Sequence, residues 1–185
     1  MNFYGKEECM GNCLENSNSR SIGHSGSLGS NGLCRMKRSI TVIIVHCTAT
    51  RVDVDFTQKD LLRCHQAKGM TCVGYHFYIR KDGYIWSTRP LEQVGAHARG
   101  YNQHSIGIAY EGGLDERGLP ADTRTQKQKF SMRALIRTLK KDFPITRVCG
   151  HRDLSPDKNG NGVVEPTEWL KQCPCFDVAT DEWCH

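Results

Sequence analysis

No stretch of about eighteen consecutive apolar residues occurs in this chain, which argues against a transmembrane helix and against membrane insertion. The opening MNFYGKEECMGN lacks the basic start and apolar run of a secretory signal, so none is read there. A strong charge of one sign is missing as well. Against 25 Lys and Arg stand 20 Asp and Glu, a net charge of +5 with a pI near 8.7. So mild and scattered an excess suits contact with an anionic polymer but does not point to nucleic acid. The first 35 residues have almost no Val, Ile or Phe and no hydrophobic period; they hold six Gly, six Ser and five Asn. Such a segment cannot bury enough apolar surface to offset its ordering entropy. Residues 1–35 are therefore expected to be a disordered extension. A metal held by Cys9, Cys13 and Cys34 is the weaker reading, and Met36 is a candidate for the true start.

What remains is one domain's worth of chain. The full sequence has 185 residues with an apolar share of 38%. The ten cysteines suggest a disulfide scaffold until they are placed. Several fall in strand-like runs such as IIVHC and TRVCG, where thiols act as small hydrophobes, and most are read as reduced. Ile40–Cys47 is a β-branched run of the kind covered on both faces of a sheet. Thr57–Lys68 reads as a helix, with Thr57 as N-cap and Gly69 as its stop. Tyr75–Arg80 and Tyr84–Thr88 flank Lys81-Asp82-Gly83 as a hairpin. Ser105–Tyr110 is a second buried strand and Ile145–Cys149 a last short one. Thr125–Phe143 is the clearest helix, with a capping box at Thr125 and Gln128 and an apolar stripe through Met132, Leu135, Ile136, Leu139 and Phe143. The fold class that follows is α/β: a single domain over 36–185, with a central mixed sheet flanked by helices.

His46 ends one strand and His151 follows another, in GHRD; strand ends are where sheets display functional groups. Cys173 lies beside Pro174 in KQCPC. Two imidazoles and a thiolate make a three-ligand zinc site with one open position. Spacing alone leaves each of them equally readable as a satisfied core side chain or an inert thiol.

From about residue 39 to 183 the sequence resembles the zinc-dependent N-acetylmuramoyl-L-alanine amidases, which include short phage lysozymes and animal peptidoglycan recognition proteins. The motifs are IIVHCTAT at 43–50, VGYHFYIRKDG at 73–83, VGAHARGYNQHSIGI at 94–108, GG at 112–113, GHRD at 150–153 and KQCPCFD at 171–177. The resemblance implies zinc ligands at His46, His151 and Cys173 and catalytic side chains at Tyr75 and Lys171. It places His97 and Asn102 in a loop beside the substrate groove. Zinc would polarise the scissile amide carbonyl and lower the pKa of its water. Lys171 would offer charge to the oxyanion, and Tyr75 a hydrogen bond or proton. Glu111 is the one carboxylate considered as a substitute base, and its place before two glycines favours a structural role. His76, next to Tyr75 on a strand, should face the other way.

Between His151 and Cys173, residues 157–168 match a calcium loop, with oxygen donors at positions 1, 3, 5, 9 and 12 and glycine at 6. A weak calcium site there stands against a ligand-free Asn-Gly turn leading into a short helix around Glu165–Lys171. The expected partner is peptidoglycan, the expected state a monomer. The location is either cytoplasmic or the cell wall after release as a phage or prophage endolysin. A non-catalytic peptidoglycan-binding module is the alternative function, disfavoured because Cys173, Tyr75 and Lys171 occur together. An RNA-polymerase-inhibitor role has no motif in its favour.

Overall fold

The structure, a computed structural model, describes residues 38–181; the expected extension and its cysteines lie outside them. Among these residues seven strands and two α-helices are formed: β1 Val42–Cys47, β2 Thr50–Arg51, α1 Gln58–Gln66, β3 Phe77–Ile79, β4 Ile85–Ser87, β5 Ser105–Tyr110, β6 Gly113–Leu114, α2 Gln126–Asp142 and β7 Arg147–Gly150. Five strands make one sheet in the order β4-β3-β5-β1-β7, while β2 and β6 pair separately. Only the β3–β4 hairpin is antiparallel in the main sheet; β3–β5, β5–β1 and β1–β7 run parallel. The expected mixed α/β sheet is present.

Alternation along β1 explains both faces. Ile43, Val45 and Cys47 join the main core with Ile106, Ile108, Tyr110, Phe77 and Ile79, against Met132, Leu135, Ile136 and Leu139 of α2. Val42 and Ile44 face the other way, beside Ala98 and Cys149. On that second face Leu61 of α1 packs with Val73, Tyr78 and Ala109. Both helices start on reciprocal capping boxes, Thr57 with Asp60 and Thr125 with Gln128. Gln128 also donates to the carbonyls of Ile79 and Glu111, fixing α2 to the sheet.

Two expectations are corrected. The helix anticipated around Glu165–Lys171 is a single 3-10 turn at Pro166–Glu168. Glu168 caps it by accepting from Glu165 N–H, and Trp169 leaves in an extended conformation under the Arg152 guanidinium. The final strand begins at Arg147, not Ile145, because the Ile145 N–H turns back to the Phe143 carbonyl at 2.7 Å instead of joining the sheet.

Candidate metal centre and cleft

His46 is the penultimate residue of β1, on the face of Val42 and Ile44, and is buried. Parallel pairing sets Val45 beside Gly150, so the residue after β7, His151, emerges next to His46. The His151 N–H donates to the Val45 carbonyl at 3.1 Å, which carries the pairing one step past the strand. The 171–175 loop closes over this end. Arg152 N–H donates to the Cys173 carbonyl at 2.7 Å. Gly150 lets it approach, since a Cβ there would stand 2.5 Å from Pro174 Cδ.

The three side chains converge. Among the described residues, His46, His151 and Cys173 form the group suited to a metal, with one donor atom from each lying within 4.8 Å of the others. His46 Nδ1 is 3.8 Å from Cys173 Sγ, and the two imidazole centroids are 4.6 Å apart. Burial, aided by the neighbouring His97, His151 and Lys171, holds His46 well below the usual imidazole pKa. Burial and then Lys171 bring His151 down to about 4. Both rings are therefore neutral near pH 7, the form that ligates. Cys47 N–H donates to Cys173 Sγ at 3.3 Å. The Cys47 thiol is pushed up to about 12, first by its hydrogen bond with Cys173, so it stays a protonated donor to that sulfur. Two nitrogens and a sulfur with supporting donors fit a borderline-soft transition ion better than a hard one.

The Tyr75 ring sits 4.9 Å from the His46 ring, centroid to centroid. Its phenol pKa is raised, chiefly by burial and then by the nearby Cys173 and Cys47, so the hydroxyl keeps its proton. Lys171 is exposed and lines a cavity of about 280 Å³ together with His97, Arg99, Tyr101 and His151. Among the described residues no carboxylate lines that cavity. Neither Arg99 nor Lys171 is ion-paired among the described residues.

The other sequence candidates fall out differently. Asn102 Oδ1 accepts the N–H groups of His97 and Ala98, both at 2.9 Å, and so fastens its own loop. His97 lines the cavity but also touches His46, Nδ1 to Nε2 at 3.0 Å. Glu111 is fully buried and accepts from Phe56 N–H, Lys81 N–H and Arg80, which makes it structural. Tyr75 and His76 lie before β3 rather than within a strand; His76 accepts from Gly107 N–H, and its ring comes within 5.8 Å of His97. The six described cysteines are thiols, and Cys175 faces Cys47 at 3.8 Å rather than pairing with Cys173. Sequence reasoning missed two side chains. His65, on α1, accepts from Gly74 N–H and packs its ring 5.3 Å from Tyr75. Arg38 is buried and donates to the carbonyls of Leu91, Asn102 and Ser105.

An α/β domain that gathers a two-histidine, one-cysteine donor set at the ends of parallel strands, beside an open cleft, has the layout of a hydrolase site suited to a metal ion. The profile of the N-acetylmuramoyl-L-alanine amidase family matches residues 36–167, and the chain belongs to that family. It is 32% identical over 144 residues to the endolysin of Escherichia phage T7, covering 78% of this chain and 86% of that one. An uncharacterised protein of Haemophilus influenzae is 46% identical over 97 residues, covering 52% of this chain and 84% of the other. Among solved structures, the endolysin amidase LysCS of Clostridium intestinale superposes with a TM-score of 0.59 at 34% identity, covering 76% and 78% of the two chains. The recognition protein PGRP-SA of Apis mellifera shares the fold, with a TM-score of 0.57 at 21% identity over 77% and 80% of the chains.

Proposed function

We propose that the protein hydrolyses the amide joining N-acetylmuramic acid to L-alanine in bacterial peptidoglycan, using one zinc ion held by His46, His151 and Cys173. The observation that carries this reading is the convergence of those three donors within 4.8 Å at the mouth of a cleft that, among the described residues, no acidic side chain lines. A zinc ion there supplies a Lewis acid for the carbonyl and a water of lowered pKa. The chain's own groups do the rest. Tyr75, protonated and against His46, is placed to donate a hydrogen bond to the tetrahedral intermediate while keeping its own proton; the proton that the leaving nitrogen gains is the one the attacking water gives up. Lys171, on the cleft wall two residues before a ligand, offers positive charge to the carbonyl oxygen as negative charge develops. Arg99 and Tyr101 extend the same wall for the rest of the substrate.

The family and the endolysin relatives support action on the cell wall after release to it; that the enzyme acts there as a monomer is part of the proposal. Among the described residues no helix is long and apolar enough to cross a membrane. The binding-module alternative is disfavoured by the complete ligand set. A weak calcium site at 157–168 has mixed support. Asn159 and Asn161 both turn their amide N–H groups to Glu165, but their Oδ1 atoms accept from Asn161 and Val163 N–H, Asp157 accepts from Gly160 and Gly162 N–H, and Glu168 from Lys158, Asn159 and Glu165 N–H. Millimolar calcium raising the melting temperature would support it; an unchanged melting temperature removes it.

Mass spectrometry of digested muropeptides tests the main reading. Stem peptides with a free L-alanine amino terminus are expected, together with peptide-free glycan, and both should vanish on chelation and return with zinc. Intact muropeptides after incubation with zinc-loaded protein would overturn it.

A further inference from the structure

We propose that His97 is a positioning residue for the metal ligand His46, not a substrate contact; this rests on the zinc reading above. His46 turns Nδ1 toward Cys173 Sγ; with Nδ1 given to zinc, Nε2 carries the N–H. The acceptor of that N–H is His97 Nδ1, 3.0 Å away, with the two rings at 84°. His97 then carries its proton on Nε2, which faces the hydroxyl oxygen of fully buried Ser105 at 3.4 Å. Both ring nitrogens of His97 are engaged inside the protein, so its side of the cavity offers carbon rather than a free polar atom. An imidazole whose second nitrogen is held by a fixed acceptor keeps its tautomer and ring angle, which sets how well it ligates.

The position of the ring is built into the fold. A Cβ at Gly107 of β5 would lie 2.6 Å from His97 Cδ2, and one at Gly95 would lie 2.5 Å from it, so two glycines make the slot. The backbone is clamped from both sides. Asn102 Oδ1 holds the N–H groups of His97 and Ala98. The Arg38 guanidinium ties down the carbonyls of Leu91, Asn102 and Ser105, on either side of His97. A residue that only brushed substrate would need no such frame.

The test uses the full chain as wild type, His97→Ala, His97→Gln and Ser105→Ala. Zinc affinity is read by competition with a chromophoric chelator, and ligand geometry from the visible absorption of the cobalt-substituted protein. For His97→Ala, zinc affinity should fall about 10–100-fold, with an altered cobalt spectrum. His97→Gln, whose amide oxygen can accept from His46 Nε2, should recover part of the loss. At saturating zinc, KM for a soluble muropeptide should stay near the wild-type value in every variant. Wild-type zinc affinity and cobalt spectrum in His97→Ala, with the defect confined to KM, would overturn the proposal. If His97→Ala does not fold, Ser105→Ala decides: weaker zinc binding supports the relay, unchanged binding overturns it. Failure of the wild type itself to bind zinc would instead bring down the zinc reading.

Discussion

Lys171 and Tyr75 stand in the site without belonging to the donor set, so mutation can separate chemistry from metal binding. Lys171→Ala and Tyr75→Phe should each retain one zinc per chain, measured by elemental analysis, and an unchanged melting temperature. Turnover of cell walls should fall about 10²–10³-fold, the cost of one lost transition-state contact. A variant that digests walls at the normal rate would remove the role assigned to that residue. The proposed ligand residues themselves were legible in the sequence as strand-end histidines and a proline-flanked cysteine. Their meeting was not, because nothing in the spacing puts β7 beside β1. Arg38 left no signal at all. Beside a polar segment it reads as a solvated charge, and its partners are backbone carbonyls without side-chain identity. His65 did leave one: it follows Leu61 by four residues and so shares the buried face of α1.

Elements were read best where one kind of burial governs them. β5 matches its expected bounds because both of its faces are covered, and α2 because cap and stripe agree. Ile136→Ala, in the middle of that stripe, should cost about 2–5 kcal/mol in denaturant unfolding, while an exposed control such as Phe130→Ala on the same helix should change little. The β3 region carries a pH dependence. His76 Nδ1 accepts Gly107 N–H, and its Nε2 lies 3.1 Å from the Gln93 carbonyl and 2.9 Å from Arg38. Protonating Nδ1 would set a donor against a donor. Burial, with Arg38 and Arg89 acting the same way against the opposing bond to Gln93, brings this imidazole down to about 4 from 6.5. The unfolded chain thus binds the proton more readily between those values. Stability from this group is complete above pH 6.5 and is lost as pH falls toward 4, by up to about 1.4 kcal/mol per pH unit. Melting temperatures from pH 7.5 to 4.5 should fall accordingly, with a smaller slope in His76→Asn. An equal slope in that variant would assign the dependence to other histidines.

At the scale of the whole molecule, the first described side chain, Arg38, is already tied into the domain. The first 35 residues have a composition that disfavours docking, and their charges cancel, Lys6, Arg20 and Arg35 against Glu7, Glu8 and Glu15. The family match begins at residue 36. Two residues further on, Arg38 is 7% exposed and holds the 91–105 loop that carries His97 and Asn102. The position of a truncation therefore matters more than its length. A protein starting at Met36 keeps Arg38, and it should melt at the full-length temperature and cleave peptidoglycan at the full-length rate. A protein starting at Ser39 leaves buried carbonyls of that loop without their donor, at about 1–3 kcal/mol for each group left unsatisfied. It should melt several degrees lower and bind zinc more weakly through the loosened loop. Equal melting of the two truncations would deny Arg38 this role. A Met36 start that already lost stability or a metal ion would mean that Cys9, Cys13, Cys34 or their neighbours contribute to the folded domain after all.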